Sequence, residues 1–372
     1  MKASTERRQF LTTVALAGGA ALLPVSWVAA DDAARREQAV SRAIEFLRTK
    51  AQGADGSYTP TTGPAVTALV TTGVLRHGRT PQDPLVAKSL KYLEGFVQAD
   101  GGICNPESNY RNYETCIAMV CLGEANRDGR YTAQLKKADA YVKAMQWDES
   151  EGHERSSVNY GGAGYGKSKR PDLSNTSFLL DALRAAGNGP DDPAIQKALV
   201  FVSRCQNLES ASNTTEFAAK NPDGGFYYTP AAGGSSMAGK TDEGGLRSYA
   251  SMTYAGLKSM IYAGLKADDP RVKAAISWIH KNYSLDSNPG MGDAGLFYYY
   301  HTFARALDAL GQETFTDAAG KQHAWRDELA AELIRRQRED GSWSNDNARW
   351  MEGDANLATA YALLALSYCQ KK

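Results

Sequence analysis

The side chains able to do chemistry in this 372-residue chain crowd into one kind of place, the head of an apolar helical run. Glu114, Asp172 and His301 are the candidates for catalytic work there. Two carboxylates facing each other across roughly 5–10 Å can cleave a glycosidic bond. An imidazole titrates near neutrality and can pass a proton. Around these three stand Arg111, Arg247, Tyr249, Tyr298, Tyr300 and Asp354. Their guanidinium forks, phenols and carboxylate suit ligand binding in a concave site. Each also has a plain structural use: Asp172 and Asp354 as helix N-caps, the tyrosines as wall, His301 as a hydrogen-bonded residue at a helix start. Asp181, Lys258, Arg305 and Asp308 lie deeper in the same runs, and Arg305 and Asp308 have the i,i+3 spacing of an ion pair.

The runs that position these residues repeat six times. Each opens on a threonine: Thr67, Thr115, Thr176, Thr253, Thr302 and Thr359. Mostly apolar residues follow at offsets of four and seven, which is one face of an α-helix. The threonines are 48, 61, 77, 49 and 57 residues apart, too far for one helix per repeat. A second helix precedes each threonine run, at residues 39–47, 85–93, 135–142, 195–202, 272–279 and 327–334. These six are amphipathic, with charged residues between apolar ones, and so face water on one side. Three begin with Asp-Pro, at Asp83, Asp192 and Asp269, a capping residue followed by a first helical proline. The threonine helices carry far less charge and belong inside. Six outer and six inner helices predict an all-α (α/α)6 toroid, a double ring.

Between the two helices of a repeat sits a turn of Asp and Gly, as in Asp55-Gly56, Asp100-Gly101, Asp223-Gly224 and Asp340-Gly341. Glycine supplies the positive φ of the reversal, and aspartate bonds nearby backbone N–H groups. A glutamine closes five of the outer helices: Gln52, Gln98, Gln146, Gln206 and Gln337. The sixth repeat reads L-x-x-x-Q-x-x-x-G-x-W through Leu333, Gln337, Gly341 and Trp343. With this QW-type repeat the chain resembles the terpenoid-cyclase-like toroids, the group of squalene–hopene cyclase and the protein-prenyltransferase β-subunits. The resemblance runs from about Asp32 to the C-terminus and implies the double ring.

What that resemblance implies for chemistry is tested by motif. Class II cyclases protonate an alkene with a D-x-D-D cluster, and this chain contains none. The prenyltransferases hold zinc with an Asp-x-Cys before one inner helix and a Tyr-His-Thr before the next. Tyr300-His301-Thr302 matches the second element, but Arg247 and Tyr249 stand where the first would be. Guanidinium stays protonated and phenol is a poor zinc donor, so no metal and no cofactor is expected. Gly234 to Thr241 also spells G-x-x-x-x-G-K-T, but without the preceding strand and following helix that phosphate binding requires.

Forty-two basic and forty-two acidic residues leave no net charge, and nucleic acid is not an expected partner. Past the N-terminus no apolar stretch approaches the 18 or so residues of a membrane span. Residues 1–30 resemble a twin-arginine export segment: Arg7-Arg8-Gln9-Phe10-Leu11, an apolar run, then Val28-Ala29-Ala30. A single toroid domain then occupies 31–372, working in a bacterial periplasm or outside the cell. The five cysteines read as free, small apolar residues, with a bridge open only for Cys104. Three readings of function follow. The first is a toroid binding a small-molecule, glycan or polypeptide ligand at the mouth of its barrel. The second is a carbohydrate-active hydrolase or lyase using Glu114 and Asp172. The third is a divergent terpenoid enzyme.

Overall fold

A computed structural model describes residues 25–166 and 170–370, with side chains from Asp32 onward. The paired arginines and most of the export segment lie outside the described residues. Among the described residues twelve α-helices alternate between two rings. The outer set is α1 (Val25–Phe46), α3 (Pro84–Glu94), α5 (Thr132–Lys143), α7 (Pro193–Arg204), α9 (Pro270–Asn282) and α11 (Trp325–Arg336). The inner set is α2 (Ala65–Arg76), α4 (Arg111–Glu124), α6 (Leu173–Ala185), α8 (Ala250–Tyr262), α10 (Leu296–Leu310) and α12 (Ala355–Tyr368). Each inner helix packs on the next, and α12 returns to α2, which closes the ring. Sheet among the described residues is limited to one hairpin, β1 (Phe315–Thr316) antiparallel to β2 (Gln322–His323). No described helix is long and apolar enough to cross a membrane.

The charge contrast read from the sequence is the contrast in burial. In α12 every residue from Leu357 to Leu366 is buried, whereas α5 buries Leu135, Ala138 and Val142 on one stripe. The Asp-Pro starts work as expected: Asp83, Asp192 and Asp269 accept the N–H of Leu85, Ala194 and Arg271 at 2.9–3.0 Å.

The repeated threonine has a definite task. In five repeats its hydroxyl oxygen accepts the N–H of the residue that ends the turn, which is Asp-Gly in four of them and Gly161-Gly162 in the third repeat. Tyr58, Ile103, Ala163, Phe226 and Trp343 donate to Thr67, Thr115, Thr176, Thr253 and Thr359 at 2.9–3.1 Å. The glutamine fixes the other side of the turn. Gln206 donates to Gly224 O in its own turn and to Arg271 O at the start of the next outer helix, both at 2.9 Å. Gln146 does the same with Gly161 O and Ala194 O. Glycine is required because the turn lies flat on that next helix. A Cβ on Gly161 would stand 1.8 Å from Lys197 O, and φ is +79° there.

Gln337 donates to Gly341 O and, across the whole chain, to Ala39 O in α1. Gly341 packs on Arg42 O. The last repeat is therefore clasped to the first as neighbours are to each other. Repeat five lacks the Asp-Gly turn, and Thr302 instead donates to Tyr299 O within its own helix. All five cysteines are buried free thiols, Cys104 included.

Replacing Gln206 by Leu takes the donor from Gly224 O and the second donor from Arg271 O, which keeps its helix bond, and should lower stability by about 1–3 kcal/mol. Gln98→Leu should cost less, because Gln98 is only half-buried and bonds within its own repeat. Urea unfolding of the two variants measures both.

Candidate functional site

The N-terminal ends of the inner helices gather on one face of the ring, the mouth. Glu114, in the first turn of α4, is buried. Its carboxylate accepts the N–H of Asn105 at 2.9 Å and the hydroxyl of Ser108, clasping the loop ahead of the helix. Burial pushes its carboxyl above the ordinary range, partly offset by those two donors. Asp172 caps α6. It accepts Asn175 N at 2.9 Å, and the Asn175 side-chain amide spans both its oxygens at 2.9 and 3.1 Å. Complete burial raises Asp172 to about 6, against donation from Asn175 and the Tyr228 hydroxyl. Asp354 caps α12 through Asn356 N and Leu357 N and accepts the hydroxyl of Thr59.

The other mouth residues diverge. Arg247 is exposed on the loop before α8, its Nε donating to Lys240 O at 2.9 Å. Tyr249 is buried at the N-cap position of α8. Arg111 opens α4 half-buried, beside Cys104 and Tyr141, with its Nε buried and unpartnered. Tyr300 turns away from the axis: its hydroxyl donates to Leu285 O at 2.6 Å and lies 3.4 Å from Glu332 on α11.

Helical geometry explains the split within α10. Residues spaced by three, four and seven share a face, so Tyr298, His301 and Arg305 point at the ring axis while Tyr299 and Tyr300 point outward. Tyr298 and His301 line the small cavities on the axis. Glu114, Asp172, Tyr249 and Tyr300 line neither of these two.

The axis is where the structure concentrates charge. Near the mouth it is filled by rings: Tyr113 on Phe178 at 5.2 Å, Phe178 on Tyr298 at 6.3 Å, Tyr298 on Tyr361 at 5.7 Å. Below them His301 stacks on Tyr361 at 5.9 Å. Deeper still, Asp181 bridges two cations, Lys258 Nζ at 2.6 Å and Arg305 at 2.5 Å. Tyr262 stands under three cationic heads, Arg184 at 4.2 Å, Lys258 at 5.3 Å and Arg305 at 5.6 Å. Arg76 pairs with Glu124 at 2.6 Å and with the Tyr368 hydroxyl at 2.8 Å.

Burial lowers Lys258 to about 8, against the pull of Asp181. His301 is pushed well below the usual imidazole range, first by burial and then by Arg305, Arg76 and Lys258, so it is neutral. Arg305 and Asp308, spaced i,i+3, each take a partner on another helix. Arg305 turns inward to Asp181, and Asp308 meets Arg326 on α11 at 3.0 Å.

This axial stripe was present in the sequence but obscured. Ala255, Lys258 and Tyr262, or Leu69, Thr72 and Arg76, recur at helical offsets of three and seven, starting two residues after the threonines. Glu352 gave no such sign. From the loop before α12 it accepts Phe297 N at 3.2 Å and Tyr298 N at 2.7 Å, capping α10 in place of the missing turn.

Among the described residues no group of three or more His, Cys, Asp or Glu is placed to hold a metal ion. Cations surround His301, an environment that repels a metal. The segment from Gly234 to Thr241 is a loop, and the next helix, α8, begins only at Ala250.

No protein-family model matches the chain, and no curated protein matches it. Solved structures do. A polysaccharide lyase is similar with a TM-score of 0.54 at 10% identity, over 90% of this chain and 96% of the other. A glycosyl hydrolase of family 88 from Bacteroides vulgatus gives 0.51 at 10% identity, over 90% and 98%. Protein geranylgeranyltransferase-I of Candida albicans gives 0.51 at 14% identity, over 90% of each chain. The likeness, at these identities, is one of fold: all are α/α toroids, and so is this chain.

Asp172 sets a pH dependence. The folded chain holds its proton at about 6 against an ordinary 3.8, a displacement worth about 3 kcal/mol. That stability is fully present below pH 3.8 and is lost as pH rises through about 6. Asp172→Asn keeps the capping oxygen without the charge. The stability difference between the parent and this variant should therefore change by that order between pH 4 and pH 7 in urea unfolding, and a constant difference would contradict the assignment.

Proposed function

We propose that this chain is an exported toroid that binds a ligand at the mouth of its barrel, with no chemistry carried out in the lumen. The observation that carries the reading is where the large apolar side chains remain exposed. Tyr110, Val158, Trp350 and Met351 all lie in segments leading into inner helices, Tyr110 before α4, Val158 before α6, Trp350 and Met351 before α12. Exposed apolar groups gathered on one face mark interaction sites. Trp350 and Met351 also hold φ of +55° and +66°, a conformation that costs side-chain-bearing residues energy and clusters at working sites. Arg349 lies 4.3 Å over the Trp350 ring and adds a cation. Aromatic rims with arginines receive sugar rings or extended polypeptide by stacking and charge pairing. The axial cavities, of about 10 and 20 Å³, have no room for a terpenoid chain, which weighs against the third reading.

A carbohydrate hydrolase or lyase is the second reading, favoured by one observation. Asp172, held near 6, is a carboxyl kept protonated into the range where a general acid works. Its hydrogen bonds to Asn175 argue for the cap instead.

A soluble glycan and peptide panel, with product analysis, tests both readings on the mature chain. Trp350→Ala should weaken binding of any ligand found by at least about tenfold while the melting temperature moves by no more than a few degrees. Unchanged affinity would remove the mouth as the site. Turnover products lost in Asp172→Asn would replace the first reading by the second.

Export by the twin-arginine route, with the toroid occupying residues 31–372, is part of the proposal. Replacing both Arg7 and Arg8 by Lys should leave the protein in the cytoplasm, as fractionation and blotting would show. Undiminished recovery outside it would exclude that route.

A further inference from the structure

We propose that the ring axis is a binding site for one small monovalent anion of halide size, held by Lys258, Arg305 and His301. The first argument is charge. Among the described residues Asp181 is the one carboxylate bordering the first axial cavity, and it is shared between Lys258 and Arg305. One negative charge thus faces two positive ones where all three side chains are buried. Arg76, bordering the second cavity, is offset by Glu124 and leaves the surplus unchanged. A net charge held away from water is costly unless an opposite charge meets it.

Donors for an anion are in place. Lys258 gives two of its three N–H groups to Ser177 O and Asp181. His301 is 4% exposed, borders both cavities, and has Nδ1 buried with no partner. A neutral imidazole carries one N–H to give. A metal ion has no place among these cations, whereas an anion is drawn by each of them. Both Asp181 oxygens already accept from cations, which blunts the repulsion from that side.

Size selects the class. The cavities, about 10 and 20 Å³, take a single water or a monatomic ion and exclude carboxylates and phosphates. Arginines also gather at the end of the ring opposite the mouth. Arg76 borders both the second cavity and an open recess of about 260 Å³ that also holds Arg79, Arg127 and Glu124. Three arginines around one recess concentrate anions at its floor.

The test uses the full mature chain in chloride, in bromide and in gluconate, an anion too large for the cavity, all at one ionic strength. Binding to the folded state alone raises the melting temperature, here by about 2–4 °C between gluconate and about 0.2 M chloride. Crystals grown in bromide should show an anomalous peak in contact with Lys258 and His301. Lys258→Met removes the surplus cation and leaves the Asp181–Arg305 pair, so its melting should be the same in the two salts. Should that variant not fold, the anomalous peak and the salt comparison on the parent chain decide. Coincident melting in chloride and gluconate, together with no anomalous density on the axis, overturns the proposal.

Discussion

The double ring depends on one small bond repeated around it, from the backbone N–H at the end of a turn to the hydroxyl of a buried threonine. The turn follows an outer helix and must reverse the chain without leaving its polar groups unpaired. The threonine takes one of them from the inside, and glutamines such as Gln146, Gln206 and Gln337 hold the turn glycine from the outside while also binding the next outer helix. Each turn is thus a joint between two repeats. Because the joint from Gln337 reaches Ala39, the stack closes on itself and leaves no terminal repeat exposed.

Closure has a consequence at the centre. Six helices that face outer partners on one side must present another side to the axis, and that side has to be filled. Here aromatic rings fill the mouth half, from Tyr113 to Tyr361, and an ion network around Asp181 fills the other. A lumen packed in this way is a keystone and leaves little space for a substrate. Cavities of about 10 and 20 Å³ on the axis admit nothing larger than a water or a monatomic ion, whereas Trp350 and Met351 stand exposed on the segment that enters α12.

The same geometry explains why carboxylates gather at the mouth. Six helix N-termini meet there, each with N–H groups that have no partner within the helix and a partial positive charge. Asp172, Asp354 and Glu352 answer that demand directly, and Glu114 holds the loop that enters α4. A concentration of acids at the helix starts of a toroid is therefore expected from capping alone. Catalysis requires in addition a carboxylate that faces open space.

The sequence by itself determined the number of repeats, the order of the helices, which set lies inside, and the Asp-Pro caps. All of these are local: apolar period, charge contrast and turn chemistry each fall within some twenty residues. It also placed Glu114, Asp172 and Tyr298 at inner-helix starts, whereas α10 begins as early as Leu296 and carries Tyr300 and His301 into its second turn. Only the tertiary structure decided where each of these points. An inner helix is buried on every side, so its hydrophobic pattern has little contrast and does not distinguish the axis from the outer ring. Tyr298 and Tyr300, two residues apart, consequently fall on different sides. Partners were likewise beyond reach, since Asp181 and Arg305 are 124 residues apart in the chain and meet only because the ring closes.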